Sequence, residues 1–200
     1  MIKTFNTGLL GSNVHIFYDE STGEAMIVDC GVPLPHVHSF VKDNELKIKY
    51  IVLTHGHYDH VHFIGDYANE FPNAEILCHK NELKVLHDSE ANVSELVGEP
   101  TVYDQKFVTV SEGDTITVGS YVFKILNTPG HTPGCICLYC EKEKLMFTGD
   151  VLFDGAIGRT DFKYGNMTDM RASLLRLLSM DGEISFYSGH YGSSKFKYQI

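Results

Sequence analysis

Short apolar runs separated by turn residues dominate the first part of the chain. Residues 14–19 and 24–29 are rich in β-branched and aromatic side chains, and the residues between them, Glu-Ser-Thr-Gly at 20–23, are typical of a hairpin turn. Pro33 and Pro35 then precede apolar residues at helical spacing, which predicts a helix that ends near Asn44. The pattern therefore predicts a β-hairpin followed by a helix.

The same two patterns continue to the end of the chain. Helical spacing predicts a helix from His60 to about Pro72, an interrupted helical region at 80–98, and a helix at 167–180 with Asn166 or Thr168 as its N-cap. Apolar and β-rich segments predict strands at 50–53, 75–78, 136–139, 145–147 and 183–187, and further β structure at 99–127. Because 200 residues suit one core, we expect a single α+β domain that spans residues 1–200.

Metal-binding side chains follow four of the apolar runs. The runs at 50–53, 123–126, 144–147 and 184–187 each lead through small residues to His55, His131, Asp150 and His190 respectively. The first run continues as Thr-His-Gly-His-Tyr-Asp-His at 54–60, which places three imidazoles and one carboxylate within six residues. Glycine allows a sharp turn before a ligand, and imidazole with carboxylate suits zinc or a similar cation. The spacing therefore predicts a metal site built from several strand ends.

Five motifs give the chain a resemblance to the metallo-β-lactamase fold and, within it, to the glyoxalase II-like (hydroxyacylglutathione hydrolase) family. They are T-H-G-H-Y-D-H at 54–60, T-P-G-H-T-P-G at 128–134, F-T-G-D at 147–150, I-G-R-T-D at 157–161 and S-G-H at 188–190. The motifs cover nearly the whole chain. The resemblance implies a four-layer αβ/βα sandwich.

The resemblance also implies a site with two divalent metal ions. His55, His57 and His131 correspond to the ligands of the first ion, and Asp59, His60 and His190 to those of the second, while Asp150 corresponds to the carboxylate that bridges both. Zinc is the expected metal, with iron or manganese as alternatives. The implied reaction is the attack of a metal-bridging hydroxide on a small acyl thioester, with Asp59 and Asp150 as the catalytic carboxylates.

Composition narrows the range of partners. The formal charge is −10, from 26 acidic and 16 basic residues, which disfavours nucleic acid as a partner. The first residues carry no apolar segment typical of a signal peptide, and no apolar run is long enough to cross a membrane. Five cysteines follow no disulfide framework, so we expect reduced thiols and a cytoplasmic location. The sequence leaves the oligomeric state open.

Several smaller features have two interpretations. Arg159 is a candidate for binding a substrate carboxylate, and a structural pair with Asp161 is the alternative. His62 is a candidate partner of a ligand or contact of the substrate. Cys137 and Cys140 form a C-x-x-C pattern, but residues three apart on a strand point to opposite faces, so we expect packing roles rather than chelation.

Three functions remain open at this stage. The leading hypothesis is a thioester hydrolase that uses two metal ions. The second is a persulfide dioxygenase of the same fold with one iron, a class that this chain resembles in T-P-G-H-T and G-R-T-D-F. The third is a non-enzymatic metal-binding module. Because only ten residues follow His190, where larger glyoxalase II relatives carry a further helical region, we expect a permissive enzyme with little selectivity for glutathione.

Overall fold

The computed structural model describes residues 1–199. The strands are β1 (Ile2–Phe5), β2 (Val14–Tyr18), β3 (Glu24–Val28), β4 (Lys47–Val52), β5 (Glu75–His79), β6 (Phe107–Val110), β7 (Thr115–Val118), β8 (Tyr121–Asn127), β9 (Ile136–Cys140), β10 (Leu145–Gly149), β11 (Leu152–Phe153), β12 (Ala156–Ile157), β13 (Ser185–Ser188) and β14 (Ser193–Lys195). The α-helices are α1 (Leu34–Asp43), α2 (Tyr58–Val61), α3 (Ile64–Glu70), α4 (Leu83–Leu86) and α5 (Met167–Leu178). Short 3₁₀ turns lie at Leu9–Gly11, Lys80–Glu82, Ser94–Val97 and Phe196–Tyr198.

Two six-stranded sheets form the centre of the molecule. The first has the order β1-β2-β3-β4-β5-β6, and its strands from β3 to β6 run parallel. The second has the order β14-β13-β10-β9-β8-β7, in which only β10 and β13 pair in parallel. Phe17 and Val52 of the first sheet share one buried cluster with Phe123 and Phe147 of the second. The two sheets therefore pack face to face as a sandwich.

Helices cover the outer faces of the sandwich. Val37 of α1 and Tyr67 of α3 pack in the cluster of Ile27 and Ile51, and Met170 of α5 packs in the cluster of Phe186. The order helix, sheet, sheet, helix is the four-layer arrangement that the family resemblance implies. Among residues 1–199, no helix has both the length and the apolar character that crossing a membrane requires.

The predicted helix from His60 to Pro72 is wrong in its continuity. The amide of Phe63 donates to the carbonyl of Cys30 (3.1 Å), which diverts it from the helical ladder and separates α2 from α3. The helical region at 80–98 is shorter than predicted for a related reason. Val93 has a φ of +63°, and a β-branched residue in the left-handed region ends any regular helix. A long-range hydrogen bond thus interrupts the first predicted helix, and a residue in the left-handed region interrupts the second.

The other predicted elements are confirmed with shifts of a few residues. Asn166 is the N-cap of α5, because its Oδ1 accepts from the amides of Thr168 (2.8 Å) and Asp169 (3.2 Å). Cys137 and Cys140 on β9 pack into different clusters on opposite faces of the sheet, so they do not form a chelating pair. All five cysteines are buried and free.

Candidate metal centre

Four strands end at one edge of the sandwich, and the residues after them meet there. His55 follows β4, His131 follows β8, Asp150 follows β10 and His190 follows β13. The backbone turns sharply before two of them, because Gly130 and Gly149 have positive φ angles. Gly189 has a different reason: a Cβ there would clash with Asp150 Oδ1 and with the ring of His60. A glycine before a ligand thus either allows a sharp turn of the backbone or leaves room for a neighbouring ligand to pack closely.

The structure brings all seven candidate ligands together. One group consists of His55, His57 and His131, which we call the first ligand group. Asp59, His60 and His190 form the second ligand group, and a third set, His55, His60 and Asp150, joins the two. Within each set, the potential ligand atoms lie within 4.8 Å of one another. This geometry suits two metal ions that share ligands.

Asp150 faces both groups with its carboxylate. Its Oδ2 lies 3.6 Å from His131 Nε2 and 3.4 Å from His190 Nε2, and its Oδ1 lies 3.3 Å from His60 Nε2. Within the described chain, His55 Nε2, His57 Nε2 and Asp150 Oδ1 are buried without a hydrogen-bond partner. Buried polar atoms are normally satisfied, so these three unpaired atoms, which belong to candidate ligands, fit a site that holds a cation. The donor set of imidazoles and carboxylates fits two divalent ions.

Hydrogen bonds to the outer nitrogen fix the orientation of two ligand rings. His131 Nδ1 donates to the carbonyl oxygen of Arg159 (2.7 Å), and His60 Nδ1 donates to Asp29 Oδ2 (2.9 Å). When each ring is neutral, Nε2 is then left with a lone pair that faces the centre. Such outer contacts set the tautomer and raise the basicity of a ligating imidazole.

The two ligand groups differ in charge. Burial lowers the pKa of His55, His57 and His131, and the neighbouring imidazoles lower that of His55 and His57 further. Burial also opposes the charge of His60 and His190, but the carboxylates of Asp150 and Asp59 outweigh it and raise the pKa to about 9 and about 10. The first group is thus neutral at pH 7, whereas the second holds protons that a metal ion must displace.

Asp29 is a supporting residue that sequence reasoning missed. It is buried after β3, has a φ of +63° and accepts from the Thr54 amide (2.7 Å), the Thr54 hydroxyl (2.8 Å) and His60. It therefore ties the start of the 54–60 loop to one ligand ring. The signal was present, since β3 is a fifth apolar run that ends in a carboxylate and then a glycine, Gly31.

Glu82 supports the other side of the centre and was also missed. Its fully buried carboxylate accepts from the amides of Gly56 (2.8 Å) and Gly134 (2.7 Å) and from the Thr132 hydroxyl (2.6 Å). These donors lie in the two loops that carry the first ligand group. Burial raises the pKa of Glu82 to about 7, although the three donors oppose that rise. No local sequence pattern marks this residue, because its partners are 26 to 52 positions away.

Ser12 and Asn13 hold the loops of the second ligand group. The Ser12 hydroxyl donates to the Asp59 carbonyl (2.7 Å). The Asn13 amide group donates to the carbonyls of Ser188 (2.9 Å) and Tyr191 (3.0 Å), and its backbone amide donates to Gly189 (2.6 Å). The start of β2 thus fixes the loop on either side of His190.

The remaining candidates lie around the centre. Arg159 donates from Nε and Nη2 to the two carboxylate oxygens of Asp161 (2.7 Å each) and lies over the ring of Phe162, 3.9 Å from its centroid. This is the structural pair considered as an alternative, although Arg159 also borders the cleft. His62 packs on the rings of Tyr58 and Phe63 and does not line the cleft. Its predicted role as a substrate contact has no support in this arrangement.

A cleft of about 370 Å³ opens over the centre. His57, Asp59, His131, Asp150 and His190 form its floor. Its walls are mostly apolar and come from separate chain segments, with members that include Leu10, Val93, Leu96, Val97, Phe153, Phe162 and Tyr191. A substrate in this cleft lies directly against the candidate metal ligands.

Comparison with known proteins places this fold and site. The family model described as the metallo-beta-lactamase superfamily matches residues 7–190. The hydroxyacylglutathione hydrolase GloC of Haemophilus influenzae is 33% identical over 89% of this chain and 84% of its own length. The structure of the BLEG-1 B3 metallo-beta-lactamase aligns with a TM-score of 0.91 at 30% identity, over 100% of this chain and 96% of that one. ETHE1 from Myxococcus xanthus aligns with a TM-score of 0.77 at 26% identity, over 98% of this chain and 80% of that one.

Proposed function

The chain belongs to the metallo-β-lactamase superfamily, whose members are metal-dependent hydrolases, and we propose that it hydrolyses small acyl thioesters with two divalent metal ions. The observation that carries the proposal is the pair of ligand groups that meet at Asp150. The similarity to a hydroxyacylglutathione hydrolase supports the thioester as the scissile group. We propose zinc as the metal, with iron and manganese as the alternatives.

The residues of this chain would divide the work as follows. His55, His57 and His131 would hold one ion, Asp59, His60 and His190 would hold the other, and Asp150 would serve both. When bound, two such ions supply a hydroxide nucleophile at neutral pH and stabilise the negative charge that develops on a carbonyl oxygen. Asp59 borders the cleft with its carboxylate beside His190 (3.1 Å), where it would orient the attacking water.

The leaving group also favours a thioester. Among the described residues that line the cleft, Arg159 is the only lysine or arginine, and the histidines on the floor are the candidate ligands. Outside the candidate ligands and the paired Arg159, the exposed phenol of Tyr191 is the one proton donor among the described residues that line the cleft, and a phenol is a weak acid. A thiolate departs without a strong acid, because a thiol has a pKa of about 8.5.

Arg159 remains our candidate for contact with a substrate carboxylate. That contact requires its pair with Asp161 to open, which reduces the net gain of binding. We therefore propose a permissive enzyme in which Arg159→Ala lowers the preference for a glutathione carrier by less than about tenfold. A preference of the unmodified protein above ~10³-fold would reveal a dedicated glutathione site.

A persulfide dioxygenase with one iron is the second candidate, favoured by the similarity to ETHE1. The deciding experiment combines a metal count on freshly purified protein with turnover of a panel of thioesters, a β-lactam and glutathione persulfide. Two metal equivalents with thioester turnover support the proposal. One iron per chain with oxygen uptake would favour the dioxygenase, and β-lactam turnover alone would favour a lactamase.

A further inference from the structure

Large apolar side chains surround the mouth of the cleft. Leu10, Val93, Leu96, Val97 and Tyr191, which we call the apolar rim, come from three separate parts of the chain. Leu10, Leu96 and Tyr191 are exposed to 72%, 71% and 74%. Exposed apolar side chains are ordinary when scattered, but a group gathered around a reactive centre indicates binding.

The backbone of the rim is strained. Leu10, Val93 and Tyr191 have φ angles of +53°, +63° and +64°, a region that favours glycine and that side chains rarely adopt. One member comes from each of the three segments. Strained positions persist where the surrounding structure enforces them, and they cluster at functional sites. The strain here holds apolar side chains beside the cleft, where glycine would fold more easily.

The distribution of charge in the cleft also favours an apolar substrate. Arg159 is the only basic residue that lines the described cleft other than the histidines, and its guanidinium is paired with Asp161. Lys163, which is nearby in sequence, is paired with Asp88 (2.8 Å) and Glu90 (2.6 Å). A carrier with carboxylates therefore finds no free cation, while an uncharged chain finds apolar contact.

We propose that the apolar rim makes this protein selective for thioesters whose acyl group is an unbranched apolar chain. The inference rests on the proposed thioester hydrolysis and specifies its substrate class. Each added methylene that enters the cleft is removed from water, which corresponds to an increase of about fourfold in kcat/KM. The increase ends when the chain has filled the cleft.

The test uses metal-loaded protein and N-acetylcysteamine thioesters with acetyl, butyryl, hexanoyl and octanoyl groups. We expect kcat/KM to rise by about fourfold per methylene and then level off. Leu10→Gly and Tyr191→Gly should flatten this rise to about twofold or less, mainly through KM, because contacts far from the reacting carbon bind substrate and transition state alike. Both variants should keep or raise the melting temperature, since glycine relieves the strain.

Glu45→Gly is the matched control. Glu45 is exposed, has a φ of +53° and lies outside the cleft, so its replacement relieves similar strain without touching the rim. This variant should show the stability gain with an unchanged dependence on chain length. A flat dependence in the unmodified protein would overturn the proposal, and so would rim variants that keep the full rise.

A binding measurement separates this proposal from the proposed function. If no thioester is hydrolysed, the thioesterase assignment fails, and the rim is tested by calorimetry with acetate, butyrate, hexanoate and octanoate on the metal-loaded protein. Affinity that rises with chain length, and that falls in Leu10→Gly, supports the rim as an apolar binding site. Equal affinities would overturn it. Loss of a dimer in the rim variants, measured by light scattering, would assign the rim to a second copy of this chain instead.

Discussion

The two ligand groups lie side by side, yet they differ in charge and in support. The first group, His55, His57 and His131, is made of neutral imidazoles, because burial keeps the pKa of each low. In the second group Asp59 and Asp150 keep His60 and His190 protonated. The first group is thus ready to bind a cation at neutral pH, and the second must first release protons.

Their support comes from different parts of the fold. Glu82 joins the two loops that carry the first group, whereas Ser12 and Asn13 hold the loops of the second. Asp29 contacts His60 of the second group and also Thr54, whose hydroxyl lies 3.1 Å from His55 Nδ1 of the first. Asp150 is the one candidate ligand whose carboxylate oxygens face members of both groups. The comparison teaches that the two halves of the centre differ in most of their supporting contacts, while Asp150 and Asp29 connect them.

Removal of Asp150 should have the largest effect, because it breaks both halves at once. We expect Asp150→Ala to lower thioester turnover by at least ~10³-fold and to lower the content of both ions. Metal analysis and kcat/KM measure this, with Asp104→Ala, an exposed acidic position, as the control. Near-normal turnover in a variant with proven metal loading would refute the role of Asp150.

Removal of a ligand from one group should leave the other half in place. His131→Ala and His190→Ala should each reduce bound metal to about one equivalent while the protein stays folded. The unmodified protein should bind its two ions with two distinct affinities. Because the ligand groups are separate, titration with a chelator should show that His131→Ala has lost one of these affinities and His190→Ala the other. Two variants that bind metal like the unmodified protein would end the assignment of these residues.

Substitution of the supporting carboxylates should affect the two ligand groups differently without changing the lining of the cleft. Glu82→Gln and Asp29→Asn keep the shape of each side chain, but the new amide group faces a hydrogen-bond donor at Gly56 or Gly134 in the first case, and at Thr54 or His60 in the second. We expect each to weaken one metal affinity by about 10–100-fold, since contacts of this kind tune ligands to that extent. If both variants weaken the same affinity, the halves are not separately supported.

The pH dependence of metal affinity should show the smallest difference between the two ligand groups, and the most diagnostic one. One ion should bind at pH 7 with almost no proton release, and the other should release up to two protons, from His60 and His190. The affinity for the second ion should then rise by about tenfold per pH unit for each proton and level off above pH 9 to 10. Calorimetry in buffers of different ionisation enthalpy counts the protons, and equal counts for both ions would contradict this assignment.

The same pKa values predict how the stability of the metal-free protein changes with pH. Because the folded pKa values of about 9 and 10 lie above the unfolded value of 6.5, protonation of His60 and His190 favours the folded state. This contribution is complete below pH 6.5 and is lost as the pH rises through 9 and 10. After a chelator has removed the metal, the melting temperature of the protein should fall as the pH rises through 9 and 10. Addition of the metal should reduce this fall.

The sequence pattern by itself predicted most of the strands and the candidate ligands, whereas the four-layer order was implied by the resemblance to a known family. An apolar run of four to six residues specifies a buried strand locally, and the short segment after it lies at the sheet edge. The four metal-binding side chains in those segments, His55, His131, Asp150 and His190, could therefore be named in advance. The assignment of those residues to two ions needed the resemblance to a known family, because spacing along the chain does not say which ligands share an ion.

Only the tertiary structure decided the breaks in the helices, the supporting residues and the shape of the cleft. The helix predicted after His60 is divided because the amide of Phe63 bonds to Cys30, about 30 positions earlier in the chain. Glu82 and Asn13 act on loops up to 52 and 178 positions away. The apolar rim gathers residues from both ends of the chain around one opening. Each of these features depends on which distant segments the packed sheets bring together, and the local hydrophobic periodicity does not specify those contacts.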